Sequence, residues 1–362
     1  MHLRAVLSDS SGTPFAALRA GVAAVLLLSL RAASGPSTGY TYDPRCTTYV
    51  QAAEHPESPH RVTAIHQQIT QSGLTDSLVR VEPLSDPLPH IRRVHTERHI
   101  AGIRNLRHRI PESDSIGPLA ELAVAQILGA VKAVCEGTIR NAFCNIRPPG
   151  HHVINGGYTS GFCAYANVVI AARYAQKEMG LERVLIVDWD YHHGNGTVHL
   201  VCSDTSILFF EAGSAAAMYE ECNGARRHVI TVSLQKTGND GYVEAYRKHL
   251  LPAAASFRPQ IVLVSSGFDL KAGDALGGRG VTAQGVSLLT RLVMDIAEEY
   301  CKGRLVSVLE GGYSDFGSTP PSYRGLAACA EAHIRTLLTG DIQPEAPYFV
   351  ELRKLVGKKN LR

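Results

Sequence analysis

The chain lacks several features that would settle its class at once. Its eight cysteines in 362 residues include no CxxC pair and no small-domain spacing. That argues against a thiolate-rich structural zinc site and against a disulfide framework, and points to buried or incidental thiols in a reducing compartment. Net charge is only +3, with lysines and arginines scattered, so direct nucleic-acid binding through a basic stripe is not expected. No internal repeat or low-complexity linker follows Tyr40, and residues 40–340 therefore read as one domain with a tail over 341–362. The apolar stretch at 20–30 is eleven residues long, too short to span a bilayer. Its Arg-, Ser- and Ala-rich flanks make residues 1–39 an extension that is either disordered or a signal or transit peptide. No transmembrane span and a cytoplasmic location are the expectations.

What is present is an ordinary core composition, 45% hydrophobic, and sixteen histidines. Short β-branched runs at 142–146, 184–187, 207–210, 229–234, 261–265 and 305–309 read as strands. Helical patterns at 119–136, 164–179, 242–257, 282–300 and 323–338 separate them. Near-continuous apolar strands alternating with helices predict a mostly parallel sheet covered on both faces, an α/β sandwich.

Four polar clusters fall just past the carboxyl ends of these strands: "RPPGHH" after 142–146, "DWDYHHGNG" after 184–187, "SSGFD" after 261–265 and "EGGY" after 305–309. In open α/β sheets that edge is where sites assemble. Asp190 and His192, two apart on an extended segment, point the same way. With Asp269 they would nearly neutralise a divalent ion and leave positions open, as a catalytic zinc requires. A salt-bridged strand end is the competing reading of Asp190 and His192. His151 and His152 can share general acid–base work, with Asp188 and Asn195 placed to hold their second nitrogens. Two surface loop histidines are the alternative. Tyr313 offers a phenol for an oxyanion, although a tyrosine packed in a turn reads equally well. Phe162 is either an aromatic wall or a core residue.

The ordered set "HPESPHR" (55–61), "VHTERHI" (94–100), "RPPGHH", "SGFCAYANV" (160–168), "VDWDYHHGNG", "SSGFD" and "LEGGY" resembles the histone deacetylase superfamily, which also holds acetylpolyamine amidohydrolases and acetoin-utilisation proteins. The resemblance covers about residues 40–340. It implies the arginase/deacetylase three-layer α/β fold and a zinc-dependent amidohydrolase. By matching motif, Asp190, His192 and Asp269 take the zinc positions, and His152 that of the general base and acid. His151 takes that of its electrostatic partner, Asp188 lies behind His151, and Asn195 behind His152. Tyr313 takes the position of the carbonyl-polarising phenol, and Gly161 and Phe162 form one wall of the acyl-lysine tunnel. Leu276, in "GDALGG", stands where polyamine-selective relatives place a Glu.

The chain departs from that pattern in "EAGSAAAMYEECNGARRH" (211–228), which lacks the second aromatic tunnel wall and puts Glu211 where relatives use a Ser to bind a structural potassium ion. The segment before His55 is also compressed. The resemblance implies hydrolysis of an acyl amide on N-acetyl-lysine, in a peptide or protein, or on a small acetylated amine, and a homo-oligomer is compatible with it. Alternatives are an acetylpolyamine amidohydrolase and a catalytically silent acyl-group binder. An arginase-like dimanganese enzyme would need acidic ligands where Tyr191 and Gly194 stand.

Overall fold

The computed structural model describes residues 37–48, 55–106, 116–213, 228–234 and 237–356. Eight strands form one sheet: β1 Thr38–Thr41, β2 Val79–Arg80, β3 Asn141–Cys144, β4 Val184–Asp188, β5 Ile207–Gly213, β6 Val229–Ser233, β7 Ile261–Ser266 and β8 Leu305–Leu309. All neighbours pair in parallel, in the order β2-β1-β3-β8-β7-β4-β5-β6. Every residue of β3, β4, β5, β7 and β8 is buried. Successive side chains point to opposite faces, so burial of all of them means that both faces are covered. The expected α/β sandwich is the observed fold.

The helix Ile116–Cys135 is long and apolar enough to cross a membrane by length and composition alone. It packs instead on β3, β8 and the helix Asn167–Lys177, with Ile127, Leu128 and Val131 fully buried. It is a core helix.

Six strands were legible as apolar runs; β1 and β2 were not. "TGYT" and "VR" carry no apolar run, and only pairing with β3 and β1 makes them strands. The helix expected over 242–257 is interrupted. It runs Gly238–Ala245, widens to a π turn at Tyr246–Leu250 and resumes at Leu251–Phe257. Pro252 lacks the N–H that a continuous helix needs there, which accounts for the widened turn. Residues assigned to the tail carry a further helix, Pro347–Val356, with Phe349 buried in the core. Among the described residues six cysteines are free, five of them buried in the core. Cys202 is disulfide-bonded, so free thiols alone do not account for the cysteines. Residues 1–36 of the expected extension, residues 49–54 before His55 and residues 214–227 lie outside the described residues, while residues 37–39 run into β1.

The site depends on strand order. The four strands that end in polar clusters, β3, β8, β7 and β4, are consecutive neighbours at the centre of the sheet. Their ends are level, with Cys144 opposite Val308, Ser266 opposite Leu309 and Asp188 opposite Ser265. Clusters more than 100 residues apart in sequence are thereby placed side by side.

Candidate active site

Asp190, His192 and Asp269 converge, with one ligand atom of each within 4.8 Å of the others. His192 Nδ1 lies 2.8 Å from Asp269 Oδ2 and 3.3 Å from Asp190 Oδ1. Backbone groups hold both carboxylates: Gly311 N–H donates to Asp190 Oδ2 at 2.8 Å, and Tyr191 N–H to Asp269 Oδ1 at 2.8 Å. Gly311 has to be glycine, because a Cβ there would lie 2.5 Å from Asp269 Oδ2 and 2.6 Å from Asp190 Oδ2. The GGY motif is therefore a close approach of backbone to ligands rather than a flexible hinge. Burial works against a charge on His192, yet the two carboxylates push its pKa up to about 10. A pocket that draws a positive charge onto an imidazole between two carboxylates fits a divalent cation. A second grouping, His151, Cys163 and Glu310, does not fit one. The Glu310 oxygens already accept from Gly150 N, His151 N and the Ser265 hydroxyl.

His151 and His152 sit against this pocket, their rings 4.0 Å apart. His151 Nδ1 is 3.0 Å from Asp188 Oδ2 and its Nε2 is 3.7 Å from Asp190 Oδ2. Burial opposes its protonation, but Asp190 and Asp188 outweigh burial and hold its pKa well above the usual value. His152 Nδ1 is 2.7 Å from the Asn195 side-chain oxygen. Burial, and after it the charge of His151, lower the His152 pKa to about 3. The two imidazoles are thus driven in opposite directions, His151 toward the charged form and His152 toward the neutral one.

Tyr313 is buried, its phenol raised well above its ordinary pKa first by burial, so it remains a hydrogen-bond donor. Its ring meets Phe162 edge-on at 6.1 Å, and Phe162 meets His55 in the same way at 4.8 Å. Gly161 (φ +51°) lies flat against His152, where a Cβ would come within 2.2 Å of the ring. Leu276 is exposed on a segment that bridges the Tyr313 loop through Asp274 and Asp315. All eleven residues singled out from the sequence lie on this one edge.

Comparisons with known proteins give the family. The family model described as "Histone deacetylase domain" matches residues 55–327. The chain belongs to the histone deacetylase family. It is 32% identical to a "Probable deacetylase" of Archaeoglobus fulgidus over 310 residues, 80% of this chain and 85% of that protein. It is 34% identical to a "Histone deacetylase-like amidohydrolase" of Pseudomonas aeruginosa over 283 residues, 73% and 74% of the two chains. Its 31% identity to "Histone deacetylase 15" of Arabidopsis thaliana covers 86% of this chain but only 58% of that protein. The crystal structure of the HDA15 HD domain superposes with a TM-score of 0.73 at 28% identity, covering 89% of this chain and 95% of the other. These relatives place this histone deacetylase family member among hydrolases.

Several residues beside this site carried a sequence signal without a role. Glu57 and Arg61, in "HPESPHR", and Arg147, in "RPPGHH", form a buried ion network. Arg147 Nε donates to both Glu57 oxygens at 2.7 and 2.9 Å, and Arg61 Nη1 is 3.3 Å from Glu57 Oε1. Arg61 also donates to the carbonyls of Gly312, at 2.6 Å, and Glu310, while its guanidinium lies 5.1 Å over the Tyr313 ring. In "VHTERHI", His95 accepts from Ala166 N at 2.9 Å, and His99 accepts from Gly157 N at 3.1 Å. Both therefore anchor the loop that carries Gly161 and Phe162. The motifs were visible, but apart from Glu57–Arg61, four positions apart, the contacts span 58 to 251 positions, beyond any local pattern.

Glu211, which stands where the resemblance implies a potassium-binding Ser, is engaged by its protein neighbours. Its Oε1 accepts from His193 Nδ1 at 2.6 Å and the Thr231 hydroxyl at 2.8 Å, and its Oε2 accepts from Gly194 N at 3.1 Å. Neighbours that present protons to a carboxylate are unsuited to an alkali cation, which needs their lone pairs. Protein donors thus already engage both Glu211 oxygens.

Proposed function

We propose that the chain is a zinc-dependent deacetylase that hydrolyses the acyl amide of N-acetyl-lysine in a peptide or protein, or of a small acetylated amine. The observation that carries the reading is the His151–His152 pair, one ring held by Asp188 and the other by Asn195, set against a two-carboxylate, one-imidazole pocket. Asp190, His192 and Asp269 would hold the zinc, which when bound supplies Lewis acidity for the acyl oxygen and a more acidic water. His152, fixed through Nδ1 by Asn195, keeps Nε2 to take the proton of the attacking water and return it to the leaving amine. His151 stays imidazolium, held by Asp188, and offsets negative charge as the carbonyl becomes tetrahedral. The Tyr313 phenol donates to that oxyanion, a contribution of about 2.7–4 kcal/mol for a single donor. Gly161 and Phe162 line one side of the acyl-lysine path. Leu276 at its mouth offers no carboxylate to a polyammonium substrate, which favours lysine over polyamine.

The test is turnover by the purified, zinc-loaded chain on acetyl-lysine peptides and on acetylated polyamines. Faster turnover of the peptides is expected. Preference for the polyamines would overturn the argument from Leu276, and silence on every acyl amide would overturn the enzymatic reading in favour of an acyl-group binder.

A further inference from the structure

Behind Tyr313 lies a lysine with no exposed surface. Lys271 is fully buried, and burying an ammonium is costly unless it is paired and hydrogen-bonded. Its Nζ is 3.2 Å from Asp274 Oδ2 and 3.3 Å from Asp315 Oδ1, with the Gly273 carbonyl at 3.4 Å. Asp274 and Asp315 face each other across an isolated antiparallel bridge, so without the ammonium two buried carboxylates would repel.

Each carboxylate grips backbone. Asp274 Oδ1 accepts from Leu276 N at 2.9 Å and Gly277 N at 3.2 Å, while its Oδ2 accepts from Tyr313 N at 2.9 Å. Asp315 accepts from Arg324 N and Gly325 N, both at 3.1 Å, at the start of the helix Arg324–Thr339, where the helix dipole favours a negative charge. Thus one ammonium ties the segment after Asp269 to the tyrosine loop and to a rigid helix.

We propose that Lys271 is a positioning residue. By pairing with Asp274 it holds that carboxylate in place and so fixes the backbone of Tyr313 and the direction of the phenol. This rests on the reading of Tyr313 as the oxyanion donor. Lys271 touches no reacting atom; it acts through Asp274.

The experiment uses Lys271→Met in the full, zinc-loaded chain, with two readouts. Amide hydrogen exchange of the peptide containing Tyr313 is expected to speed up while that of β4 stays unchanged. The kcat is expected to fall about 10–100-fold, the cost common for partners one step removed from a metal site, with KM and zinc content unchanged. In a Tyr313→Phe background the same substitution is expected to cost nothing more, because residues that act through one another are non-additive. Unchanged exchange at Tyr313, or additive losses in kcat, would overturn the proposal. An inactive wild type would instead overturn the deacetylase reading, and exchange would still decide the role of Lys271. If Lys271→Met does not fold, Asp274→Asn takes its place: an amide has one acceptor oxygen where the carboxylate has two, so either Tyr313 N or the Leu276 turn loses its partner.

Discussion

His151 and His152 are neighbours in sequence, with rings 4.0 Å apart, and their surroundings push their pKa values in opposite directions. The difference lies in what each Nδ1 meets: the carboxylate of Asp188 in one case, the neutral amide of Asn195 in the other. A carboxylate favours imidazolium and an amide does so far less.

Replacing that amide tests the division. Asn195→Asp should raise the pKa of His152, so the base is lost at higher pH than in the wild type. The acid limb of the kcat/KM profile is expected to move to higher pH. A limb that stays in place would remove Asn195 from the control of His152.

Metal binding and proton transfer should separate by mutation. Asp190→Asn is expected to deplete bound zinc, read by elemental analysis. His152→Ala should keep the zinc and lose turnover. Tyr313→Phe should keep the zinc and lower kcat by about 10²–10³, the loss typical of a single oxyanion donor. Full zinc in Asp190→Asn, or normal rates in either of the other two, would contradict the assignment concerned.

Gly161 makes a steric prediction. Alanine at a left-handed position costs about 1–2 kcal/mol by itself, and here its Cβ would also strike the His152 ring, 2.2 Å away. Gly137 (φ +75°), with nothing within 4 Å of a Cβ, is the control. Both variants should lose stability in urea unfolding, but only Gly161→Ala should lose kcat. Equal kcat in the two would show that the contact with His152 does not matter.

Glu211 should make the chain indifferent to potassium. The melting temperature is expected to be the same in potassium chloride and choline chloride, because the carboxylate is already engaged by three donors. Glu211→Gln should loosen the turn carrying His192 and weaken zinc binding by about 10–100-fold, as loss of an outer partner commonly does. A rise in melting temperature with potassium would return the cation to the site.

A buried histidine behind the metal pocket, its ring against Trp189 and Phe268, predicts acid sensitivity. His333 lies between the hydroxyls of Thr290 and Ser307, both at 2.7 Å, and burial lowers its pKa to about 3. The unfolded chain takes up this proton near pH 6.5, and the folded chain does not until about pH 3. The stability His333 contributes is therefore present above pH 6.5 and declines as pH falls, by about 1.4 kcal/mol per pH unit. Between pH 6.5 and 5, urea unfolding of wild type should lose about 2 kcal/mol more than that of His333→Gln. Identical slopes would mean that His333 protonates inside the fold.

Local pattern carried much of this protein. A β-branched run followed by Asp188, Asp190, His192 and His193 announces a strand end bearing a polar site, because charge enters an interior only where something answers it. The six apolar strands and the parallel sheet follow from periodicity in the same way, and the ordered motifs were sufficient to suggest the family. β1 and β2 were illegible, since four and two residues without an apolar run become strands only when a neighbour supplies the hydrogen bonds.

Tertiary structure alone decided which charges meet. Nothing near Lys271 in sequence indicates that Asp315 will share its ammonium, nor does anything near Arg61 indicate that it will grip the carbonyls on either side of Gly311. Whether His151 or His152 carries the proton depends on distances to Asp188, Asp190 and Asn195 and on depth from solvent. Composition and spacing are properties of the chain in one dimension. Electrostatic coupling and desolvation depend on three-dimensional separation, which here is set by the order in which the strands lie in the sheet.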